Sequence, residues 1–267
     1  MKSISLSIEE LIYCFYSEGL FEQGMGLKQT YFPDMDDEQF ELILQVSCRS
    51  LLAKNFLNYK LENHRYVLTS DISLVIKSLN YSNHSLKISK FIENGKQDSI
   101  SLHISENGVY QHNMLYEGQV HQITEISGSE LNNVAAGYMN IKDKKQDETS
   151  ELKISLQQTA FENMLTYAEE NPMQLQSFLR QFANNPTLTE DFTRDLIATK
   201  GKMNSIMLLA FNEKKEPQLE HILFFVPGIE KTWFINKSED VYIVSECNKK
   251  LLESYFNESL EIFKETV

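Results

Sequence analysis

The stretch KLENHRYVLTSDISLVIKSLN, residues 60–80, decides how the fold is interpreted. Its first part predicts a short β-hairpin, and Thr69, Ser70 and Asp71 then offer caps for a helix with one apolar face. The preceding run DDEQFELILQVSCRSLLAKNFL, residues 36–57, has the period of an amphipathic helix. A helix, a hairpin and a second helix in this order predict a winged-helix-like segment.

The charges on this segment argue against nucleic-acid binding. In a winged helix, the helix before the hairpin enters the major groove, and its phosphate contacts require Lys and Arg. Here the segment carries both acidic and basic residues, so no basic surface forms. The acidic residues are Asp37, Glu38, Glu41 and Glu62, and the basic residues are Arg49, Lys60 and Arg65. We interpret the segment as a structural subdomain, with a winged-helix transcription regulator as an alternative function.

The whole chain is acidic and has the composition of a globular protein. Its 267 residues carry a net charge of −13, with 42% hydrophobic and 24% charged residues. This composition excludes a disordered chain and disfavours phosphate backbones and anionic membranes as partners. We therefore expect a neutral or basic protein partner, no nucleic acid and no membrane insertion.

The cysteines and the N-terminus indicate a cytoplasmic protein. Cys14, Cys48 and Cys247 are an odd number at wide spacing within apolar helical patterns, which predicts reduced core residues. The N-terminal apolar stretch is interrupted by Glu9 and Glu10 and has no basic flank, so it predicts a mature helix. No apolar run approaches the ~20 residues that a transmembrane helix needs.

In the first half, residues 1–141, helices precede a β-meander. Ser7 with Glu10 forms a capping box that opens one helix, and Asp36 or Asp37 caps the next. Alternation of period two over residues 86–126, punctuated by Asn-Gly and Glu-Gly turns, predicts four antiparallel strands. A short helix follows the strands, and the charged segment at residues 142–151 predicts a polar linker.

The second half, residues 152–267, repeats this plan. Ser155 with Gln158, Asn171 with Pro172, and Thr189 are predicted to open three helices. Four strand-like runs follow, SIMLLAF, LEHILFFV, KTWFI and VYIVS, and the chain closes on the amphipathic helix CNKKLLESYFNESLEIF. The sequence therefore predicts a helical bundle followed by a second meander.

An ungapped shift of 120 residues lays the two meanders on each other. It brings Phe91 onto Phe211, Gly108 onto Gly228 and Leu131 onto Leu251. The match is one of pattern and turn position. It predicts an α+β fold with a pseudo-twofold internal duplication, whose antiparallel β-meanders join into one central sheet because paired edges are better protected.

Common motifs for catalysis are absent from the sequence. Three histidines form the one cluster that we consider as a possible functional site. The chain has no Gly-rich phosphate loop, paired-Cys motif, HExxH or GxSxG. If Asn107 and Gly108 form a two-residue hairpin loop, His103 lies opposite His112. A second tight turn at Glu117 and Gly118 pairs His121 with Met114, which places all three imidazoles on one face.

The opposite face of these strands is predicted to be the core side, so the histidine face points outward or toward a partner. It carries the following residues: His103, Tyr110, His112, Met114, Tyr116 and His121. Three histidines on a sheet can hold Zn²⁺ with an open fourth position, so a metal-dependent enzyme is a further alternative. A solvated or partner-covered polar face is the favoured interpretation, with no metal, cofactor or catalytic residue. Separately, Met173 lies off the apolar stripe of its helix and suits an adaptable partner surface.

With this layout, the chain resembles the type VII (ESX) secretion chaperones of the EspG kind and their Gram-positive counterparts. The resemblance rests on the order of elements, with YVLTSDISLVIKSL in the first half and TWFINKSEDVYIVSECNKKLLESYF in the second. It implies a central antiparallel sheet flanked by helical bundles. It also implies a non-catalytic cytosolic chaperone or adaptor that binds a helical type VII secretion substrate and keeps it soluble for export.

In that family a loop between sheet strands and the C-terminal helical bundle hold the substrate. Carried to this sequence, the loop is Glu106, Asn107 and Gly108, and the bundle comprises residues 156–200 with the terminal helix from Asn248. The loop here is only a tight turn, whereas the family often has an extended one. The neighbouring residues Tyr110, His112, Met114 and Tyr116 are therefore predicted to contribute to partner binding.

Overall fold

The structure is a computed structural model, and it describes residues 3–62, 64–92, 95–141, 153–212 and 216–259. The predicted linker at residues 142–151 lies outside these ranges. The first half contains the following elements: β1 (Ser3–Ser7), α1 (Ile8–Ser17), α2 (Phe21–Tyr31), α3 (Asp37–Ala53), β2 (Leu57–Lys60), β3 (Arg65–Leu68), α4 (Ser70–Tyr81), β4 (His84–Phe91), β5 (Gln97–Ser105), β6 (Gly108–Leu115), β7 (Val120–Ile126) and α5 (Leu131–Tyr138).

The second half contains the same kinds of element in nearly the same order. They are β8 (Ile154–Gln157), α6 (Gln158–Glu170), α7 (Pro172–Leu179), α8 (Pro186–Ala198), β9 (Asn204–Phe211), β10 (Pro217–Pro227), β11 (Thr232–Ser238), β12 (Val241–Cys247) and α9 (Lys249–Ser259). Among the described residues of this half, no hairpin is equivalent to β2–β3 of the winged-helix-like segment.

One ten-stranded sheet contains all strands except β2 and β3, which pair with each other. Its order is β1-β7-β6-β5-β4-β9-β10-β11-β12-β8. The predicted α+β class and the single antiparallel sheet are therefore confirmed. Each half contributes its strands in the same order when counted inward from its own edge, and the origin of this symmetry in a duplication stays a prediction.

Local side-chain signals set several helix boundaries where the sequence predicts them. The Ser7 hydroxyl accepts the N–H of Glu10, and the Glu10 carboxylate accepts the N–H of Ser7. Asp36 and Gln39 form the same reciprocal cap at the start of α3. These capping boxes confirm both predicted starts, because each satisfies two backbone donors that the helix itself leaves unpaired.

Two predicted helix starts in the second half are wrong. Ser155 lies within strand β8, and α6 begins only at Gln158, so Ser155 and Gln158 form no capping box. The predicted cap Thr189 lies inside α8, whose first turn is capped by the side chain of Asn185. Pro186 follows this cap at the first helical position, where its fixed φ suits the helix and its missing N–H costs nothing.

The described chain packs as two compact units, each with its own core. The first holds β1 to α4 together with most of β5 and all of β6 and β7. The second holds most of β4 and β9 together with α5, α6 to α8, β10 to β12 and α9. The predicted boundary between residues 1–141 and 152–267 stays a prediction.

The cysteines are free thiols, as the sequence predicts. Cys14 and Cys247 are buried, and Cys48 is half-buried. Burial raises the pKa of the Cys247 thiol to about 12, which keeps it protonated and unreactive at neutral pH. In the ranges that the structure describes, no helix is both long enough and apolar enough to span a membrane.

Candidate functional site

The turn between β5 and β6 differs by one residue from its prediction. Ser105 pairs with Gly108, so Glu106 and Asn107 form the turn and Gly108 begins the next strand at a φ of 129°. The Ser105 hydroxyl accepts the N–H of Asn107 at 3.3 Å and lies 3.2 Å from the carbonyl oxygen of Gly108. These contacts hold the turn one residue earlier than an Asn-Gly loop would place it.

This shift changes the neighbours of His103. It pairs with Tyr110 and lies diagonal to His112, so the prediction that the two histidines are directly opposite is wrong. A shift of the pairing by two residues preserves the face on which each side chain lies. His121 pairs with Met114, as predicted.

The three imidazoles lie side by side on one face of the sheet, as predicted, and we call them the histidine row. The ring centroids of His103 and His112 are 5.8 Å apart, and those of His112 and His121 are 5.1 Å apart. Nε2 of His112 and Nδ1 of His121 form a hydrogen bond of 2.8 Å. The row is held at its other end by the hydroxyl of Ser85, 3.1 Å from Nδ1 of His103.

The prediction that this face points outward is wrong for most of its length. Tyr110 is 2% exposed and belongs to the core of the first unit, and His121 is also buried. Strand β1 places Leu6 opposite His121 and Ile4 opposite Ile123 on the same face. This face is covered because the apolar sides of α1 and α4 pack against it.

Burial determines the charge of the histidine row. It lowers the pKa of His103 to about 4 and, with the neighbouring imidazoles, that of His112 to about 3. Burial also lowers the pKa of His121, against the opposing effect of a backbone hydrogen bond at Gly118. Because the cluster is neutral at pH 7, its rings act as packed polar groups rather than as charges. Within the described residues, no three His, Cys, Asp or Glu side chains are arranged to hold a metal ion.

The loop between β6 and β7 carries the exposed part of the predicted partner surface, and we call residues 114–117 the hairpin tip. Met114 is 48% exposed and Tyr116 is 77% exposed. Tyr116, Glu117 and Gly118 have positive φ angles of 52°, 58° and 85°. Gly118 lies directly against the Tyr31 hydroxyl, where no Cβ fits, so α2 fixes the base of this tip.

Met173 is the most exposed of the predicted partner residues. It is 91% exposed in the first turn of α7, whereas Leu175 and Leu179 of the same helix are fully buried. The position of Met173 outside the apolar stripe of α7 agrees with the sequence pattern. Its role in binding stays a proposal.

The first unit contains a groove that the sequence analysis did not predict. It has a volume of about 610 Å³ and lies between α1, α3, β1 and β7. Leu42 and Val46 of α3 line it, and both are more than half exposed. One signal for the groove is present in the sequence: Leu42 and Val46 are apolar but lie outside the buried stripe of the amphipathic helix α3.

The winged-helix-like segment has a different side-chain organisation from a DNA-binding surface. Lys54, at the end of α3, forms an ion pair of 2.6 Å with the buried carboxylate of Glu10. On the hairpin, the rings of Tyr59 and Tyr66 are in contact, with centroids 5.2 Å apart and an interplanar angle of 55°. With acidic side chains in the first turns of α3, this segment does not favour the transcription-regulator alternative.

Comparison with known proteins connects this fold to a family and to a solved structure. A family model described as "Uncharacterised protein YfjC" matches residues 3–256. A Bacillus subtilis (strain 168) protein described as "Uncharacterized protein YfjC" is 39% identical over 236 residues, covering 88% of this chain and 91% of that protein.

The structural match is to the Mycobacterium tuberculosis type VII secretion system chaperone EspG5, solved in complex with the PE25–PPE41 dimer. The TM-score is 0.63 at 7% sequence identity, and the match covers 95% of this chain and 94% of that chain. A match at this identity shows a shared fold. The fold implied by the resemblance to EspG-type chaperones is therefore confirmed.

Proposed function

Because the chain belongs to the YfjC family and has the fold of EspG5, we propose that it is a non-catalytic chaperone for type VII secretion. It binds a helical secretion substrate in the cytoplasm, covers part of that substrate's apolar surface and keeps it soluble until export. Affinity comes from apolar burial, and specificity comes from a polar rim.

The full-length fold match carries this proposal. It extends over 95% of the chain, so it includes both halves and the connections between their elements, rather than one common motif. The matched chaperone was solved with a PE25–PPE41 dimer, which motivates a protein substrate here. Folds support many functions, so the proposal needs a direct binding test.

Some of the predicted partner residues are exposed, and we propose that these contact the substrate. Met114, Tyr116 and Met173 are open to a partner, and Glu106 and Asn107 are exposed at the β5–β6 turn. The buried Tyr110 and the half-buried His112 contribute by holding β6 in place. Gly108 contributes through its backbone conformation at the start of this strand.

The proposal is tested by purifying the tagged full-length protein from the cytoplasm of its native cells. Mass spectrometry identifies what accompanies it, and size-exclusion chromatography with light scattering gives the stoichiometry. We expect a one-to-one complex with a helical exported protein. Recovery of nucleic acid, or of the protein without any such partner, would contradict the chaperone function.

A substitution at the hairpin tip should weaken this complex. Tyr116→Asp places a charge where we expect apolar burial, while Asp tolerates the positive φ of this position. Because exposed Tyr residues at interfaces often contribute strongly, we expect affinity for the recovered substrate to fall about 10-fold or more.

The matched control is Ile229→Asp, which changes an equally exposed apolar residue in the second unit. Isothermal titration of both variants with the recovered substrate measures the effect. Equal affinities for Tyr116→Asp and the unsubstituted protein would remove the hairpin tip from the binding surface.

A further inference from the structure

We propose that the groove between α1, α3, β1 and β7 binds an amphipathic helix whose apolar face is flanked by Lys or Arg. The occupant is a helix of the secretion substrate, so the inference rests on the proposed function and adds a second contact surface to the hairpin tip. Leu42, Val46 and Val120 contribute apolar lining to the groove, and Glu9, Glu10 and Lys54 contribute charged lining.

The apolar wall of the groove is formed by residues that are not part of the protein core. The buried residues of α3 are Phe40, Ser47 and Leu51. Leu42 and Val46 lie one helical turn apart, outside this stripe, and are 59% and 54% exposed. Two neighbouring exposed aliphatic side chains above a concave surface are typical of a site that receives a partner's apolar anchors.

The opposite wall makes an extended occupant unfavourable. Strand β1 is at an edge of the sheet, and such an edge can pair with an added strand. Here, however, Lys54 Nζ donates to the carbonyl oxygen of Ser5 at 3.2 Å, and Glu10 Oε2 accepts the N–H of Ser7 at 2.8 Å. An added strand would have to displace both contacts, whereas a helix satisfies its own backbone and needs only side-chain contacts.

These blocking side chains are themselves firmly held. The buried Glu10 carboxylate accepts a hydrogen bond of 2.7 Å from the Ser50 hydroxyl, in addition to its 2.6 Å ion pair with Lys54. Breaking this network would leave a buried carboxylate short of partners, which is costly. The network therefore forms a fixed polar wall on one side of the groove.

The charges beside the apolar wall indicate the sign of the partner. Glu9 lines the groove, Glu38 is one helical turn before Leu42, and Glu41 adjoins Leu42 along the helix. Of the basic side chains nearby, Lys54 is paired with Glu10, and Arg49 lies one turn after Val46, so carboxylates are in excess. The whole chain is acidic, with a net charge of −13. A helix with Lys or Arg beside its apolar face complements these carboxylates, and an acidic helix is repelled.

The groove and the hairpin tip are linked by one cross-strand pair of the sheet. Val120, which lines the groove, is paired with Leu115 of β6, and Leu115 is itself partly exposed between Met114 and Tyr116. The two surfaces are therefore adjacent within the first unit. One helical substrate can contact the tip and place its amphipathic helix in the groove.

The test uses the full-length double variant Leu42→Lys, Val46→Lys and the substrate recovered with the unsubstituted protein. The two lysines remove the apolar anchors and repel a basic partner, so we expect affinity by isothermal titration to fall at least 10-fold. Both positions are more than half exposed, so folding should be retained, and urea unfolding checks this. The matched control is Leu61→Lys, Leu219→Lys, at two other exposed apolar positions, which should stay within about twofold of the unsubstituted protein.

Hydrogen exchange with and without the substrate gives the location of binding. We expect added protection in α3 around residues 41–47 and, with Glu38→Gln, Glu41→Gln, a weaker dependence of affinity on salt. Unchanged affinity of the lysine variant, or loss of affinity without protection in α3, would overturn the groove site and leave the chaperone function standing. Failure of the unsubstituted protein to yield any helical substrate would instead overturn the chaperone function, and the occupant of the groove with it.

Discussion

The protein should lose stability steeply between pH 6.5 and pH 5, because the histidine row must stay neutral to remain buried. In the folded state the pKa values of His103 and His112 are about 4 and about 3, against an ordinary value of 6.5. Below pH 6.5 the unfolded chain therefore binds protons that the folded chain excludes. The stability contributed by the neutral imidazoles is complete above pH 6.5, and it decreases as the pH falls toward the folded-state values.

The size of this effect is large for a single type of side chain. For His103 alone, the loss at pH 5 amounts to about 2 kcal/mol, since each pH unit below 6.5 costs about 1.4 kcal/mol per histidine. His112 acts in the same direction. A domain with an unfolding free energy of about 5–15 kcal/mol would lose a substantial part of it.

Urea unfolding at pH 7.5, 6.5, 5.5 and 5, followed by far-ultraviolet circular dichroism, measures this dependence. Hydrogen exchange in β5–β7 reports on the first unit itself, because Trp233, the one tryptophan in the sequence, lies in the second unit. His103→Gln should reduce the slope of unfolding free energy against pH, because it removes one of the titrating groups. Met173→Gln, at an exposed residue that does not titrate, should leave the slope unchanged. An unfolding free energy that is constant from pH 7.5 to pH 5 would show that the row is not buried in its neutral form.

Gly228→Ala should destabilise the second unit by about 3 kcal/mol, since overpacking and an unpaired buried donor each cost about 1–3 kcal/mol. A Cβ at this position would collide with the Asp195 carboxylate, 2.7 Å from its Cγ, and would lie 2.7 Å from the carbonyl oxygen of Lys231. Asp195 is buried and accepts the indole N–H of Trp233 at 2.9 Å. Moving the carboxylate away would leave this indole N–H without its acceptor.

The measurement is urea unfolding at pH 7.5, monitored through the fluorescence of Trp233. The emission of the folded variant should also shift, because the environment of the indole changes with Asp195. Gly137→Ala is the matched control: Gly137 lies in α5 of the same unit, where an added Cβ meets nothing within 4 Å, so Ala should stabilise by up to about 1 kcal/mol. Equal stability of Gly228→Ala and the unsubstituted protein would mean that the loop at Gly228 yields freely.

Two helix caps in the first half were predictable because their signals are local. The reciprocal caps at Ser7 and Asp36 need only residues three positions apart. The short strands β1 and β8 were missed because each runs directly into a helix, so the capping pattern at Ser7 and Ser155 dominated the interpretation. Their strand conformation depends on pairing with β7 and β12, which are distant in sequence.

The candidate site was only partly predictable for a related reason. Alternation in β6 shows which residues share a face, and it correctly grouped Tyr110, His112 and Met114. It cannot show which helices cover each face, and both faces here carry enough apolar residues to be buried. Exposure of Met114 and burial of Tyr110 follow from how far the helices reach along the strand, which is a property of tertiary packing.

Side-chain contacts on the two outermost strands affect the concentration that the protein can reach in a cell. The open edge of a β-sheet at high concentration tends to template assembly with further copies. On β1 the lysine bound to the Ser5 carbonyl obstructs that growth. On β8, Ile154 forms a bridge with Ala183, and the amide side chain of Asn184 accepts the N–H of Lys153. These contacts oppose extension of the sheet at both outer strands, so the molecule can reach a higher concentration before its copies assemble through strand pairing.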